Sequence, residues 1–389
     1  MLRTIALAAI AAAALTGCYK HDPVVRPDGG EHQGRPEEKE ELVLTERSDW
    51  TVKYVAREDF VNDFGEVEKV EHFKMGYGGR GYYIVRMIRP QDFQDAYGND
   101  AAKFFSYEAE CLLEDAKADG VHFYEYDNEV FTSKITDILF NRLRSGTWIA
   151  FMIELDPDGK LTGDYAEADF SIQEEEATEA FNQWLGSWIV SNGLMGYELT
   201  VSSLDNNYIY RVDGWERGQA AAFQMDQEYL ETEFYAPTGF MYFTSQFLGT
   251  YDDDNLGTVD ELFMGNIFDS GGLTVITDEG LDLAVAVPTE TGAELQALPV
   301  TLMTDNGNYE TVFDSMQYYM WTHDGGEWIR YNESVPKLPL TMTRNAETRA
   351  SGTVLAKERE ATRASIHHAQ PKAGRSSRSS VAKKAVRMK

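Results

Sequence analysis

The segment YELTVSSLDNNYIYRVDGW, Tyr197–Trp215, reads as two short strands on either side of an Asp205-Asn206-Asn207 turn. The pattern then repeats. EYLETEFY, FMYFTSQFL, LTVITDEGLDLAVAV, LPVTLM, SMQYYMWTH and EWIRYN follow, about ten strands in all, joined by Asn, Asp and Gly turns with almost no helix between them. Strands spaced so regularly predict an antiparallel meander over residues 177–343, which either curls closed as a barrel or packs on itself as a sandwich. The chain is therefore expected to be mainly β.

Upstream of the meander, Gln173–Glu176 is a charged connector, and Thr178 is placed to cap a short helical turn that turns Phe181, Trp184 and Leu185 inward. A domain boundary near residue 175 follows. Before it, Trp50, Val52 and Tyr54 alternate with Thr51 and Lys53 as in a half-buried strand. GYYIVRMI (Gly81–Ile88) and GTWIAFMIEL (Gly146–Leu155) are denser apolar runs, expected of central strands. Asp156-Pro157-Asp158-Gly159 makes a tight turn, and DYAEADFSI (Asp164–Ile172) returns as a partner strand. An aromatic strand, a turn and an alternating last strand resemble the closing hairpin of immunoglobulin and fibronectin type III domains. Residues 45–173 are therefore expected to be such a sandwich. The stretch Asp100–Asp119 departs from that pattern and reads as a helical insertion. Asp100 would cap it, Phe104, Tyr107, Cys111 and Leu112 would share its buried face, and Gly120 would end it. Cys111 on that face is expected to be a buried, inert thiol.

The two ends differ from the middle. Arg3, the apolar run Ile5–Leu15 and the small residues before Cys18 form the layout of a secretory signal, too short to remain as a spanning helix. Leu15-Thr16-Gly17-Cys18 resembles the lipobox of bacterial lipoproteins. That resemblance implies removal of residues 1–17 as a lipoprotein signal peptide and acylation of Cys18. The protein would then be anchored to a membrane through its acyl chains without crossing it. Residues 18–44, rich in Pro, Gly and charge, are expected to be a flexible stalk. Residues 344–389 carry 12 basic and 3 acidic side chains and are expected to be a disordered basic tail. With that surplus and Arg3 set aside from the chain total of −30, Cys18–Thr343 carries −40. A body so acidic repels polyanions, which excludes a nucleic-acid partner.

Chemical motifs are few. Gly76, Gly78 and Gly81 have the spacing of a dinucleotide loop, but a strand rather than a helix follows them, so they read as a turn. In DDDNLGTVDELF, Asp252, Asp254 and Asp260 fall at positions 1, 3 and 9 of an EF-hand loop and Gly257 at its sharp turn. Leu256 and Phe263 stand where two further ligands belong. This leaves the three aspartates as a calcium candidate of another type beside the default of a solvated acidic hairpin; no other cofactor is expected. The folded region has three histidines, His72, His122 and His323, and none belongs to a hydrolase motif. Catalytic residues are therefore expected to be absent and the protein not to be an enzyme. Aromatic clusters such as Tyr318, Tyr319 and Trp321 alternate, so that one side chain enters the core and its neighbour points out, where it can stack on a sugar or line a groove.

Gly186-Ser187-Trp188, just after the helical turn, resembles the G-x-W opening of lipocalin-like barrels. Over most of its length the chain also resembles a type of outer-membrane lipoprotein of Gram-negative gut commensals. The residues that carry this are the lipobox, the W-T-V-K-Y strand, W-L-G-x-W, Tyr210–Trp215, Met225–Tyr229, Asp278–Ala284 and Met316–Met320. The resemblance implies localisation at the cell envelope, on the periplasmic or the surface face of the outer membrane, and no particular activity. Together these features predict a lipid-anchored binding or interaction module. The alternatives are a carrier of a glycan or small apolar ligand inside the barrel, a protein-partner role, and a glycan-acting enzyme.

Overall fold

The computed structural model describes residues 42–345 apart from 62–64, 126–129, 133, 216–228, 254–255, 270–271, 278–279, 305–306, 324–325 and 331–333, together with 380–382 and 385–388. The signal 1–17, Cys18, the stalk through residue 41, Asp254, residues 225–228 and most of the basic tail lie outside the described residues. The chain divides into two compact units between Ile172 and Gln173.

The first unit runs through β1 (Thr45–Glu46), β2 (Thr51–Val61), β3 (Val67–Gly76), β4 (Tyr82–Ile88), α1 (Pro90–Tyr97), α2 (Ala101–Asp119), β5 (Val130–Phe131), β6 (Ile135–Asn141), β7 (Gly146–Leu155) and β8 (Leu161–Ile172). Two sheets form, one of order β1-β8-β7-β4-β5 and one of order β2-β3-β6. Phe73, Tyr83, Phe140, Trp148 and Met152 lie in the core that the two sheets share. Alternate residues of the larger sheet, Ile84, Ile88, Phe151 and Ile153, pack instead with Phe93, Phe104, Phe105 and Leu112 of the helices. Burial on both faces explains why GTWIAFMIEL is continuously apolar rather than alternating.

Helix α2 starts where the Asp100 carboxylate accepts from the backbone of Ala102 and Lys103, and it stops at Gly120, whose φ of 71° only glycine adopts readily. Cys111 is half-buried rather than buried, because the inward stripe runs through Phe104, Phe105, Ala109 and Leu112, and Cys111 sits at its margin beside Tyr107.

The second unit opens with α3 (Glu179–Asn182), capped by Thr178, whose hydroxyl accepts from the Phe181 amide. Then come β9 (Gly186–Ser191), β10 (Gly196–Asp205), β11 (Ile209–Asp213), β12 (Leu230–Tyr235), β13 (Phe240–Thr244), β14 (Gln246–Asp253), β15 (Gly257–Asp269), β16 (Gly272–Ile276), β17 (Asp282–Thr289), β18 (Gly292–Ala297), β19 (Pro299–Thr304), β20 (Gly307–Val312), β21 (Ser315–Thr322), β22 (Glu327–Arg330) and β23 (Leu340–Arg344). Eight of these close a barrel of order β9-β10-β11-β12-β13-β17-β18-β23, antiparallel at every pairing, with β23 returning to β9. The barrel follows chain order, so the meander is interrupted only twice. Strands β14–β16 are inserted between β13 and β17, and β19–β22 between β18 and β23. Of the two architectures left open by the strand pattern, the closed barrel is the one formed.

The inserted strands build a second sheet in which β21 runs along one edge of β15, while β14 and then β16 occupy its other edge, with β22 outside β21. Most of the tail expected to be disordered, residues 346–379, lies outside the described residues. Arg344 ends the barrel strand β23, and β24 (Ser380–Ala382) and β25 (Ala385–Met388) pair with β19 and β16.

Candidate functional site

The barrel interior is the natural place to look for a ligand site in such a fold. Its inward positions alternate along every strand: Trp188 and Val190 on β9, Leu199 and Val201 on β10, Tyr210 and Val212 on β11, Met241 and Phe243 on β13, Leu295 on β18, Leu340 and Met342 on β23. Val190, Leu199, Tyr210, Met241, Leu295, Leu340 and Met342 are all 0 % exposed. A void wide enough for one water molecule would leave accessible surface on the side chains lining it. The interior is thus a filled core.

One end is plugged by the helical turn. The Phe181 ring stacks on Tyr210 at 4.2 Å and 14° and meets Phe234 edge-on. The Tyr210 hydroxyl donates to the Phe181 carbonyl at 2.9 Å, and burial pushes that phenol's pKa up, so it stays neutral. Trp184 Nε1 donates to the Gly239 carbonyl at 2.9 Å, and Trp188 Nε1 to the Trp184 carbonyl at 2.7 Å. Arg344 lies over the Trp188 ring at 4.3 Å and donates to the carbonyls of Leu185 and Gln183. The arginine ties the closing strand, the opening strand and the plug together, a role the local sequence does not advertise. Asn207, at the tip of the β10–β11 turn with φ of 60°, anchors the start of the plug by accepting from the amide and hydroxyl of Thr178 at 2.7 and 2.8 Å.

The inserted sheet contributes to the same core. From its inner face Leu248, Val259, Phe263, Ile267, Tyr318 and Met320 join the barrel cluster, with Trp215 bridging Phe243 and Phe263. Among the buried polar atoms of this unit without a hydrogen-bond partner are Trp215 Nε1 and Thr232 Oγ1.

The outer face of the inserted sheet has a different character. Strand register sets Thr250 opposite Asp260, Asp260 opposite Trp321, and Trp321 opposite Trp328, one rung across four strands. The two indoles are half-buried, 5.2 Å apart and tilted by 47°. Thr250 Oγ1 donates to Asp260 Oδ1 at 2.7 Å, and His323 Nε2 lies 3.0 Å from Asp260 Oδ2. On the next rung toward the hairpin tip, Thr258 Oγ1 donates to Asp252 Oδ1 at 2.8 Å. On the other side lie Leu262, Tyr319 and Arg330, with Tyr319 fully buried and 6.4 Å from Trp328. The Tyr319 hydroxyl donates to Asn266, whose amide donates to Ser315 at 3.0 Å.

Of the three calcium candidates, Asp252 and Asp260 therefore share a face, while Asp254 is outside the described residues. Asp260 is a buried strand residue rather than part of a solvated loop, and each of the two described carboxylates already accepts from a threonine. Among the described residues, no group of three or more His, Cys, Asp or Glu side chains is placed to hold a metal ion. In the triple Thr250–Asp260–His323 the carboxylate is the middle member, the reverse of the order in which a histidine activates a hydroxyl nucleophile.

Tyr318 is the inward member of its aromatic cluster, and Tyr319 and Trp321 lie on the other face. Trp328 escaped the sequence reading. Its pairing follows from register, Trp321 opposite Trp328 and Thr322 opposite Glu327.

In the first unit, Gly76–Gly81 forms the turn between β3 and β4. A Cβ on Gly79 would fall 2.1 Å from Glu154 Oε1, and one on Gly81 2.3 Å from the Leu155 carbonyl, so these glycines serve close approach and not a phosphate. Glu154 gathers the Tyr77 hydroxyl at 2.5 Å and Thr162 Oγ1 at 2.8 Å. His72 bridges Glu58 and Asp137 at 2.8 and 3.0 Å, and these hydrogen bonds raise its pKa. His122 stacks on Tyr124 at 5.1 Å. No helix among the described residues is long and apolar enough to cross a membrane. Comparison of the chain with protein-family models, with curated proteins and with solved structures finds no match.

Proposed function

We propose that this protein is a non-catalytic binding module of the cell envelope, an outer-membrane lipoprotein held by acyl chains on Cys18 and binding its partner through outer surfaces of two β domains. The observation that carries this reading is the filled barrel, whose inward side chains are inaccessible and whose one end is plugged by α3. An architecture usually associated with an interior site then serves as a rigid support. Among the described residues, Asp260 with His323, His72 with Glu58 and Asp137, and Glu71 with Arg57 are engaged with one another, and none of these groups presents an activated nucleophile. The acidic body favours neutral or cationic partners, such as glycans or proteins, over nucleic acid.

Two finer assignments belong to the same reading. The pairing β2-β3-β6 opposite β8-β7-β4-β5 supports a fibronectin III-like first domain, with α1 and α2 inserted between its β4 and β5 strands. The chain-ordered eight-strand meander, its helical plug and the buried Trp188 of Gly186-Ser187-Trp188 support a lipocalin-like second domain. A second reading, carriage of a small apolar ligand, draws on the unpartnered Trp215 Nε1 and Thr232 Oγ1.

Titration of the mature chain with a fluorescent fatty acid, followed by energy transfer from tryptophan, separates the two. The module reading predicts no saturable uptake. One-to-one binding that Leu295→Trp abolishes would establish the carrier instead.

A further inference from the structure

We propose that the outer face of the inserted sheet, at the rung Thr250–Asp260–Trp321–Trp328, is a carbohydrate-binding site. The proposal rests on the module reading and names the surface and the ligand class. The indoles of Trp321 and Trp328 are cross-strand neighbours and remain half-buried, while Tyr319 on the next rung is fully covered. A Cβ added at Gly326 would lie 3.7 and 3.9 Å from ring atoms of Trp321, so the indole passes close to the glycine's open side. Beside this apolar pair stand the hydroxyls of Thr250 and Thr258, the imidazole of His323 and the carboxylates of Asp260 and exposed Asp252.

Sugars are the ligand that fits both halves. A pyranose offers a face of C–H bonds to an aromatic ring, and its rim of hydroxyls both donates and accepts. The rung supplies aromatic surface and, next to it, acceptors at the exposed Asp252 carboxylate and at the hydroxyl oxygens of Thr250 and Thr258, whose protons point to Asp260 and Asp252. A lipid chain would have to desolvate Asp252 and His323. A quaternary ammonium would be held by a cage of aromatic faces around its methyl groups, and this rung presents two indoles side by side on one sheet face. The placement on four paired strands also holds the groups rigidly, as a recognition site for a weakly differentiated surface such as a sugar requires. Thr250 and His323, held by the buried Asp260, act as positioning residues beside the tryptophans, and Asp252 offers hydrogen bonds at the sugar's edge.

Isothermal titration of the full mature chain with soluble cellohexaose, xylohexaose, maltohexaose and mannohexaose tests the assignment. At least one is expected to bind saturably, and Trp321→Ala and Trp328→Ala are each expected to weaken it by roughly fivefold or more, with Trp321→Phe intermediate. Unfolding temperatures of the variants control for misfolding. The proposal is overturned if none of the four binds, if binding is indifferent to both alanine variants, or if tetramethylammonium competes at the same tryptophans. Failure of the module reading has a separate signature: fatty-acid uptake that survives Trp321→Ala and is lost in Leu295→Trp.

Discussion

Leu295 is the most direct probe of the filled barrel. It is fully buried on β18, between Ala286 on one neighbouring strand and Leu340 on the other. Leu295→Ala removes three carbons, worth about 2.4 kcal/mol of transfer free energy at roughly 0.8 per methylene. The hole left behind adds to this. Ala286 has no side chain long enough to swing into it, and a closed barrel relaxes little, so the total is expected at about 3–4 kcal/mol, within the range of buried Leu→Ala changes. Urea unfolding of the mature chain, followed by tryptophan fluorescence, reads the effect, because Trp184, Trp188, Trp215, Trp321 and Trp328 all belong to the second unit and only Trp50 and Trp148 to the first. A matching drop of roughly 6–16 °C in the unfolding temperature is expected for a unit of this size. Leu295→Phe sharpens the test: a packed interior loses about 1–3 kcal/mol to overpacking, whereas an open lumen accepts the ring without loss. A cost below about 1 kcal/mol for alanine, with phenylalanine neutral, would refute the filled interior.

Three further outcomes are expected. Glu71 is fully buried and accepts from Arg57 at 2.7 Å, Tyr54 at 2.8 Å and the Leu143 amide at 3.3 Å, so Glu71→Ala takes the counter-charge from a largely buried guanidinium that still donates to the Leu143 carbonyl, and is expected to destabilise the first unit by roughly 3 kcal/mol in a denaturant titration. Burial raises the Asp92 pKa to about 6 against the pull of Arg89 and Arg144, with Asp95 adding to the rise. Its folded pKa lies above the unfolded one, so the stability it contributes is complete below about 4 and lost as pH rises through about 6. Asp92→Asn is accordingly expected to be the more stable form at pH 7, by up to roughly 2–3 kcal/mol, and to narrow that margin toward pH 4, as paired denaturation curves would show; equal curves at both values would remove the argument. Cys18→Ser is expected to abolish palmitate incorporation in labelled cells and to release the protein from the membrane fraction, and unchanged labelling would refute the anchor.

The strand-rich second unit was legible because its residues alternate, and alternation is a local property. Closure was not. Whether a meander becomes a barrel or a sandwich turns on β23 meeting β9, Met342 beside Val190, a contact across about 150 residues with no local mark. The division of the strands into a barrel and an inserted sheet was hidden for the same reason. Val259, Phe263 and Tyr318 look like barrel residues in sequence, and they do join the barrel's core, from outside its wall. Helix α2 was readable to its ends because Asp100 and Gly120 are chemical stop signs, while Cys111 was misplaced by a fraction of a helical turn. Asp260 read as a loop acid because DDDNLGTVDELF was matched to the positions of a calcium loop, and strand pairing buries it beside His323. Trp328 and Arg344 matter through partners set by register and closure, which no window of sequence contains.

A crystal of the mature chain pressurised with xenon tests the central claim most directly, since xenon enters apolar voids that admit no ordered water. A filled barrel predicts no xenon site among Ala284, Ala286, Ala293 and Leu295. Xenon bound there would show a lumen, and with it an interior binding function that contradicts the account.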